Sequence, residues 1–299
     1  MLIPLPIVYF VLYMKKVQTG TVIEFYTNSC LVESNNQRIA CTGLKNVVVG
    51  DVVDIELTQD TSKPSGKITK IYPRNSILKK IGPYKSKPLA SNITHLCILV
   101  TSKPKTTKEF IDKYLVLASK FNLSVLLLNN KTDIEDNAIE ELLNTYKDYE
   151  IIRISAKSGS NFQELKKWIL GKSIIFVGNS GSGKSTITSK LIGKDLKTNK
   201  LSNNQGVHTT SISSLYKIDD VSSVIDSPGV RDIEISYLSK EEILTGFPEI
   251  FEASKKCKYN NCNHLNNDDC EVINSLKSNI IDSSRYQNYI KFIKNLENV

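Results

Sequence analysis

One octapeptide constrains the fold of this 299-residue chain more than any other stretch. It runs Gly-Asn-Ser-Gly-Ser-Gly-Lys-Ser from Gly178 to Ser185, which matches the phosphate-binding loop pattern. The apolar run 174–177 precedes it, and the helix-like run 186–192 follows it. Because the pattern requires a strand before the loop and a helix after it, we interpret the octapeptide as a phosphate-binding loop rather than as a glycine-rich turn.

Each residue type in this loop has a chemical use. The glycines let the backbone curl until its N–H groups point at phosphate oxygens, and the following helix adds its positive N-terminal end. Lys184 would reach the β- and γ-phosphates, and Ser185 would ligate the Mg²⁺ that bridges them. The predicted phosphate-binding residues are Gly178, Asn179, Ser180, Gly181, Ser182, Gly183, Lys184, Ser185 and Thr186.

A second motif, upstream of the loop, predicts which base the nucleotide carries. The sequence Asn-Lys-Thr-Asp at 130–133 follows the strand-like run 124–128. The carboxylate of Asp133 can accept hydrogen bonds from both N1–H and the exocyclic amine of guanine, and adenine lacks that pair of donors. Asn130 would fix the loop, and the stem of Lys131 would cover the base plane. The motif therefore predicts guanine.

Two further motifs complete a guanine nucleotide site. Ser155, Ala156 and Lys157 follow the strand-like run 150–154, where the tripeptide can present a backbone N–H to guanine O6. Downstream of the loop, the sequence Asp-Ser-Pro-Gly runs from Asp226 to Gly229. Asp226 can hold Mg²⁺ through water, and the Gly229 N–H can reach the γ-phosphate.

The polar stretch 206–211, Gly-Val-His-Thr-Thr-Ser, suits a switch that responds to the γ-phosphate. Thr209 or Thr210 would complete the Mg²⁺ shell, and Thr210 is the predicted ligand. Many GTPases orient the attacking water with a glutamine directly after the glycine of the downstream motif, but Val230 stands there. His208 is the candidate catalytic residue, because an imidazole can orient or deprotonate water. A switch residue without a catalytic role is the alternative.

The cysteines fall into two groups. Cys257, Cys262, His264 and Cys270 lie within fourteen positions. Three thiolates and one imidazole complete a tetrahedral Zn²⁺ shell with no open position, which predicts a structural zinc ion; four unrelated surface residues are the alternative. The other cysteines stand in strand-like stretches and are predicted to be buried: Cys30, Cys41 and Cys97.

The N-terminal part of the chain alternates in short bursts typical of strands. Five such runs, at 21–26, 29–33, 37–41, 51–57 and 66–71, predict a small closed β-barrel of the OB-fold type. Such barrels often bind oligonucleotides, and a barrel that only packs on its neighbour is the alternative. The following lysine- and proline-rich segment, 73–88, is predicted to be a linker with a basic surface, with or without phosphate contacts.

Strands and helices alternate after the linker, which predicts a parallel sheet with helices on both faces. The predicted strands are 95–100, 124–128, 150–154, 174–177 and 221–225, and the predicted helices are 107–121, 139–146, 161–170 and 186–192. A further helix, with one apolar face, is predicted at 285–296.

The order of the motifs is informative. In an ordinary small GTPase the phosphate loop comes first, whereas here the motifs at 130–133 and 155–157 precede it. This is the order of a circularly permuted GTPase. From residue 17 onward the chain resembles the ribosome small subunit-dependent GTPase A family, which implies an N-terminal OB-fold β-barrel, a circularly permuted α/β P-loop GTPase domain and a C-terminal helical zinc-binding domain. The predicted domains are 17–73, 74–235 and 236–299, after an extension of unassigned role at 1–16.

The resemblance also implies a function, which is a GTP hydrolase that assists late assembly of the small ribosomal subunit. Such a protein binds rRNA and is released on GTP hydrolysis, and we expect a monomer in the cytoplasm of a bacterium or in an organelle matrix. The net charge of +8 agrees with an anionic partner. The apolar run 1–13 is too short to span about 30 Å of hydrocarbon, so no membrane contact is expected.

Two other function classes are open. One is an RNA-binding module whose guanine nucleotide site is not catalytic, and a single-turnover assay would distinguish it. The other is an ATP-dependent kinase or ATPase, against which the guanine-reading Asp133 argues.

Overall fold

The structure is a computed structural model, and it describes residues 17–26, 28–58, 64–82, 84–194, 213–227, 229–230, 233–259, 261–265 and 269–296. The strands are β1 Val17–Phe25, β2 Cys30–Ser34, β3 Gln37–Thr42, β4 Val52–Leu57, β5 Ser65–Ile71, β6 Ile77–Lys80, β7 Lys87–Ser91, β8 His95–Val100, β9 Ser124–Asn130, β10 Glu150–Ile154, β11 Ser173–Val177, β12 Ser213–Lys217 and β13 Ser223–Asp226. The helices are α1 Lys108–Lys120, α2 Asn137–Thr145, α3 Phe162–Ile169, α4 Lys184–Ile192, α5 Lys240–Leu244, α6 Pro248–Ser254, α7 Glu271–Lys277 and α8 Ser283–Leu296. No helix among these residues is long and apolar enough to cross a bilayer.

The first five strands form the predicted closed barrel. They follow the order β1-β2-β3-β5-β4, and a β1–β4 pairing closes the ring. Alternate residues point inward, as the period of a strand requires, so Val22, Val32 and Val53 are fully buried. Cys30 and Cys41 face each other across β2 and β3 and belong to this core. Burial raises the pKa of Cys30 to about 11 and that of Cys41 to about 12, so both remain neutral thiols.

The segment predicted to be a linker is instead a β-hairpin, so this prediction was wrong. Strands β6 and β7 pair antiparallel, with Leu78 opposite Ala90. Both of these side chains are buried, which stabilises the hairpin against the rest of the molecule. Residue Val49 of the barrel forms a bridge to Ala90. The hairpin therefore joins the barrel to the domain that follows.

The sheet of the central domain has the predicted α/β architecture. Strands β10, β9, β8, β11 and β13 run parallel in that order. Helices α1 and α2 cover one face, and α3 and α4 cover the other. Neighbouring residues of β8 show that both faces of the sheet are covered. Ile98 packs in the apolar core under α1 and α2, and Leu99 packs in the apolar core under α3 and α4.

Strand β12, which the sequence did not predict, links the central sheet to the barrel. It pairs antiparallel with β13 on one side and with β1 on the other. The barrel and the central domain therefore share a single eleven-stranded sheet.

The C-terminal helices pack on α1 instead of forming a core of their own. Phe247, Tyr289 and Phe292 belong to the same apolar cluster as the buried side of α1. Within this cluster the carboxylate of Asp112 on α1 is fully buried and forms an ion pair with the guanidinium of Arg285 on α8, at 2.5 Å.

Neighbouring side chains form further hydrogen bonds with both charged groups of this ion pair. Asp112 also accepts hydrogen bonds from the Tyr146 hydroxyl at 2.8 Å and from the Asn288 amide at 2.6 Å. Arg285 donates to both carboxylate oxygens of Glu249 on α6, at 2.7 and 2.9 Å. One polar network therefore fixes α6 and α8 to α1.

Replacing Arg285 tests this anchor. We expect Arg285→Met to lower the free energy of unfolding by about 3–5 kcal/mol, because it leaves the Asp112 carboxylate buried without its cation. The measurement is urea denaturation followed by circular dichroism. The control is Lys255→Met, which removes an exposed pair with Glu252 and should cost less than about 1 kcal/mol. Equal effects of the two substitutions would contradict the prediction.

Candidate guanine nucleotide site and metal centre

The predicted nucleotide motifs meet at one edge of the parallel sheet. Asn130 ends β9, and the tripeptide 155–157 directly follows β10. The phosphate loop 178–183 follows β11, and Asp226 ends β13. These strands run in the same direction, so their carboxyl ends and the loops after them lie side by side. This is the edge at which open α/β sheets bind ligands.

The glycines of the phosphate loop take conformations that other residues rarely adopt. Gly181 has φ of +79° and Gly183 has φ of +103°, both in the left-handed region. A Cβ atom on Gly183 would also lie 2.3 Å from the Asn130 side-chain nitrogen. The sequence therefore needs glycine at 183 for the backbone angle and for the close approach of a second motif.

The lysine of the phosphate loop lies across the loop itself. Its Nζ donates to the carbonyl oxygens of Gly178 at 2.6 Å and Asn179 at 2.8 Å. Lys184 is the first residue of α4. Ser185 and Thr186 lie in the first turn of this helix, and both are exposed. Ser182, within the loop, is fully buried. The cation, the hydroxyl groups and the helix N-terminus are thus at one place, as phosphate binding requires.

Asn130 ties the phosphate loop to the base-reading loops. Its amide nitrogen donates to the Ser182 carbonyl at 2.9 Å, and its amide oxygen accepts from the Ala156 N–H at 2.9 Å. The side chain is buried, with 3% of the residue exposed. Both ends of the amide are satisfied, so one side chain fixes the spacing between the loop that binds phosphate and the loop predicted to meet guanine O6.

The other residues predicted to read the base lie near this amide. Lys131 Nζ donates to the Gly181 carbonyl at 2.8 Å, so its side chain reaches the phosphate loop. Asp133 is exposed, and its carboxylate accepts a hydrogen bond from the Ser155 hydroxyl at 2.7 Å. That hydrogen bond lowers the pKa of Asp133. The carboxylate is therefore ionised at neutral pH, as recognition of two guanine donors requires. Lys157 is also exposed.

Sequence analysis missed one supporting loop, at 101–106, which follows β8. Its backbone carbonyls hold two motif side chains: Lys103 accepts from Lys131 Nζ at 2.5 Å, and Lys105 accepts from the Asn179 amide at 2.9 Å. No motif marks this loop, because it contributes backbone atoms and not side chains. Its position directly after a strand between β9 and β11 is the only signal that could have found it.

The magnesium and switch residues are only partly within the described residues. Asp226 ends β13 and Gly229 follows that strand, so both lie at the same edge as the phosphate loop. The predicted switch residues His208, Thr209 and Thr210 lie outside the described residues. Val230 is 2% exposed in the core, and its carbonyl accepts a hydrogen bond from Tyr114. Its side chain therefore has no part in orienting water.

The predicted metal ligands come together in the C-terminal unit. The ligand atoms of Cys257, Cys262, His264 and Cys270 all lie within 4.8 Å of one another. The sulfurs of Cys257 and Cys270 are 3.8 Å apart, and His264 Nδ1 is 3.6 Å from each. Sulfurs bound to a tetrahedral Zn²⁺ at about 2.3 Å are separated by about 3.8 Å. The donor set and its spacing fit such an ion.

Comparison with known proteins agrees with this geometry. The family model described as RsgA GTPase matches residues 71–236. This chain belongs to the RsgA GTPase family. The predicted family is confirmed, as is the prediction of an enzyme that hydrolyses GTP.

Individual members of the family cover most of the chain. A relative from Flavobacterium psychrophilum, "Small ribosomal subunit biogenesis GTPase RsgA", is 35% identical over 261 residues, which are 83% of this chain and 80% of the relative. The crystal structure of YjeQ from Thermotoga maritima superposes with a TM-score of 0.75 at 30% identity, covering 95% of this chain and 100% of that one.

A more distant structure shows the same fold. The structure of YloQ, a circularly permuted GTPase, superposes with a TM-score of 0.71 at 22% identity and covers 96% of this chain and 97% of that one. The predicted permuted fold is confirmed.

Replacing Asp133 tests the assignment of the base. We expect Asp133→Asn to weaken GTP binding by about 10- to 100-fold, the scale of a lost pair of charge-assisted hydrogen bonds. It should also strengthen binding of xanthosine triphosphate, because the C2 carbonyl of xanthine can accept from the new amide. The measurement is competition against a fluorescent guanine nucleotide.

The control for this substitution is Glu135→Gln, which neutralises an exposed carboxylate two positions away. It should leave both affinities unchanged. Unaltered discrimination between guanine and xanthine in Asp133→Asn would show that another group reads the base.

Proposed function

We propose that this GTPase assists late assembly of the small ribosomal subunit, binding rRNA in its GTP state and leaving on hydrolysis. The meeting of three motif loops at the Asn130 amide carries the nucleotide part of the proposal. The name of its Flavobacterium relative, a small ribosomal subunit biogenesis GTPase, supports the ribosomal part. The proposed place of action is the cytoplasm, and the proposed active form is a monomer.

In the proposed site, each motif acts on one part of Mg²⁺–GTP. The phosphate loop holds the phosphates, with Lys184 moving from the loop carbonyls to the β- and γ-phosphates. Ser185 and Thr210 would ligate the metal, and Asp226 would hold it through water. The ion would supply charge neutralisation for the phosphates. Gly229 contacts the γ-phosphate through its N–H.

The proposed hydrolysis step needs a group that orients water. Because Val230 is buried in the core, the residue after Gly229 cannot serve. We assign this role to His208, whose imidazole can accept a proton from the attacking water. A partner that positions His208 would then raise the rate, which links turnover to binding of the subunit.

The charge distribution supports an RNA partner. Residues 61–108 contain eleven Lys or Arg and no Asp or Glu. Because the whole chain carries +8 and this stretch carries +11, the remaining residues carry a net −3. The stretch includes the hairpin, whose tip holds Tyr84 with 95% of its surface exposed. A basic surface with an exposed aromatic ring suits phosphates and unstacked bases.

The proposed metal is a structural Zn²⁺ held by Cys257, Cys262, His264 and Cys270. All four positions of a tetrahedral shell are filled by protein ligands, so no position is open for chemistry. The Tyr286 hydroxyl on α8 donates a hydrogen bond to the His264 carbonyl at 2.7 Å. This hydrogen bond joins the proposed zinc loop to α8.

Zinc removal tests this assignment. We expect one zinc ion per chain by elemental analysis, and we expect Cys262→Ser to lower the zinc content severalfold. Chelation should lower the melting temperature, because the loop then loses the ion that joins its four ligands. Cys97→Ser, in the buried centre of β8, is the control and should keep its zinc. Full retention of zinc by Cys262→Ser would contradict the ligand set.

GTP turnover with and without purified small subunits tests the function. We expect subunits to raise turnover by about 10-fold or more. His208→Ala should lower the stimulated rate by about 100-fold, the scale of general base catalysis. His95→Ala, at the opposite end of β8 from the nucleotide edge, is the matched control. If subunits do not raise turnover and GTP analogues do not promote subunit binding, the ribosomal role is discarded.

A further inference from the structure

Strand β12 makes the nucleotide site and the barrel immediate neighbours. Its residue Ser214 lies opposite Asp226 of β13 on one side and opposite Glu24 of β1 on the other. A single residue therefore separates the proposed magnesium carboxylate from a barrel strand. The pairing with β13 extends over four residue pairs, whereas the pairing with β1 extends over two. The contact with the barrel is thus the shorter of the two.

Side chains add two contacts along the same strand. At its start, the Ser213 and Ser227 hydroxyls are hydrogen-bonded at 2.9 Å, and Ser227 directly follows Asp226. At its end, Lys217 forms an ion pair with Glu33 of β2 at 2.5 Å. Strand β12 is thereby attached at one end to the segment after Asp226 and at the other to the barrel.

The hairpin makes a separate contact with the same segment. A Cβ atom on Gly229 would lie 3.1 Å from Cδ2 of Leu89 on β7, so the leucine packs directly on this glycine. The next residue, Ala90, bridges to Val49 of the barrel. The barrel is also fixed to the hairpin by its buried Asp51, which accepts from Arg74 at 2.7 Å and from Ser91 at 2.6 Å. The hairpin therefore contacts Gly229 directly, and the barrel is linked to Asp226 through one residue of β12.

The C-terminal unit is attached differently. Its strongest polar anchor is the buried network of Asp112, Arg285 and Glu249, which ends on α1 and not on residues 226–229. Movement of the segment 226–229 would therefore act on the barrel and hairpin through β12 and Leu89.

From these contacts we propose that the barrel is coupled to the nucleotide state through β12 and the Leu89–Gly229 contact. The proposal rests on the guanine nucleotide site of the proposed function. A γ-phosphate held by the Gly229 N–H orders the segment 226–229, which strengthens the β12–β1 pairing and fixes the barrel. Loss of that phosphate weakens the pairing. By linkage, a ligand that fixes the barrel raises the affinity for GTP relative to GDP by the same factor.

Hydrogen–deuterium exchange of the full chain tests the coupling. Exchange is measured with GDP and with a non-hydrolysable GTP analogue. We expect amides of β1 and β12 to exchange about 5-fold or more slowly in the analogue state, the low end of typical coupling between sites. Amides of β5, in the far wall of the barrel, serve as the internal control and should exchange equally in both states.

Two variants test the contacts that carry the coupling. Ser213→Ala removes the hydroxyl pair, and Leu89→Ala removes the contact with Gly229. Each should reduce the nucleotide-dependent difference in β1 by half or more. Leu170→Ala, at an exposed position after α3, is the matched control and should preserve it. A difference that persists in full in both variants would overturn the assigned contacts.

Two other results separate this proposal from the proposed function. If both nucleotides protect the amides of the phosphate loop but β1 exchanges equally with each, the coupling is overturned and the nucleotide site stands. If neither nucleotide protects the phosphate loop, the proposed function fails and the coupling fails with it.

Discussion

The side-chain amide of Asn130 is the interaction on which the nucleotide site depends. It is buried where water cannot replace a lost partner, so both of its hydrogen bonds must be made within the protein. Its donor fixes the phosphate loop at Ser182, and its acceptor fixes the base-reading loop at Ala156. Gly183 has no side chain at the point where this amide approaches. Three motifs that are far apart in sequence therefore hold a common geometry through one residue.

Circular permutation leaves this geometry intact because the parallel sheet fixes the positions of the loops. Each motif follows the carboxyl end of its own strand, so the order in which the strands occur along the chain does not change which loops are neighbours. What permutation does change is the set of elements joined to the sheet. The C-terminal helices leave after β13, at the nucleotide edge. The barrel precedes β8 and so joins the opposite edge of the sheet, but it reaches the nucleotide edge through β12.

Much of the fold and the site could be predicted from sequence, because the informative residues act through their own chemistry. The phosphate loop predicts phosphate binding, the residues 130–133 predict guanine binding, and the Cys/His cluster predicts a zinc ion. The hairpin was not predicted because its sequence is rich in lysine and proline, which is typical of a linker. Its buried pair, Leu78 and Ala90, gives no alternating apolar pattern. Strand β12, Ser-Ser-Leu-Tyr-Lys, carries too weak an alternation to predict a strand. Its pairing with the barrel depends on distant residues, which no local pattern encodes.

The anchoring of the C-terminal helices could not be predicted for a related reason. Asp112 and Arg285 are charged residues on helices, and such residues usually face solvent. Only the packed structure reveals that each is buried as the partner of the other. The assigned domain boundaries remain predictions, since the apolar cluster continues from α1 into the C-terminal helices.

This ion pair also orders events during synthesis. Asp112 and Arg285 are 173 residues apart, so at about 5–20 residues per second the arginine is made roughly 10–35 s after the aspartate. Until then, burying α1 would strand a carboxylate without its cation. The contact between α1 and α8 therefore cannot form until α8 has been made. A chain that ends before α8 leaves uncovered the apolar surface of α1 on which α8 packs.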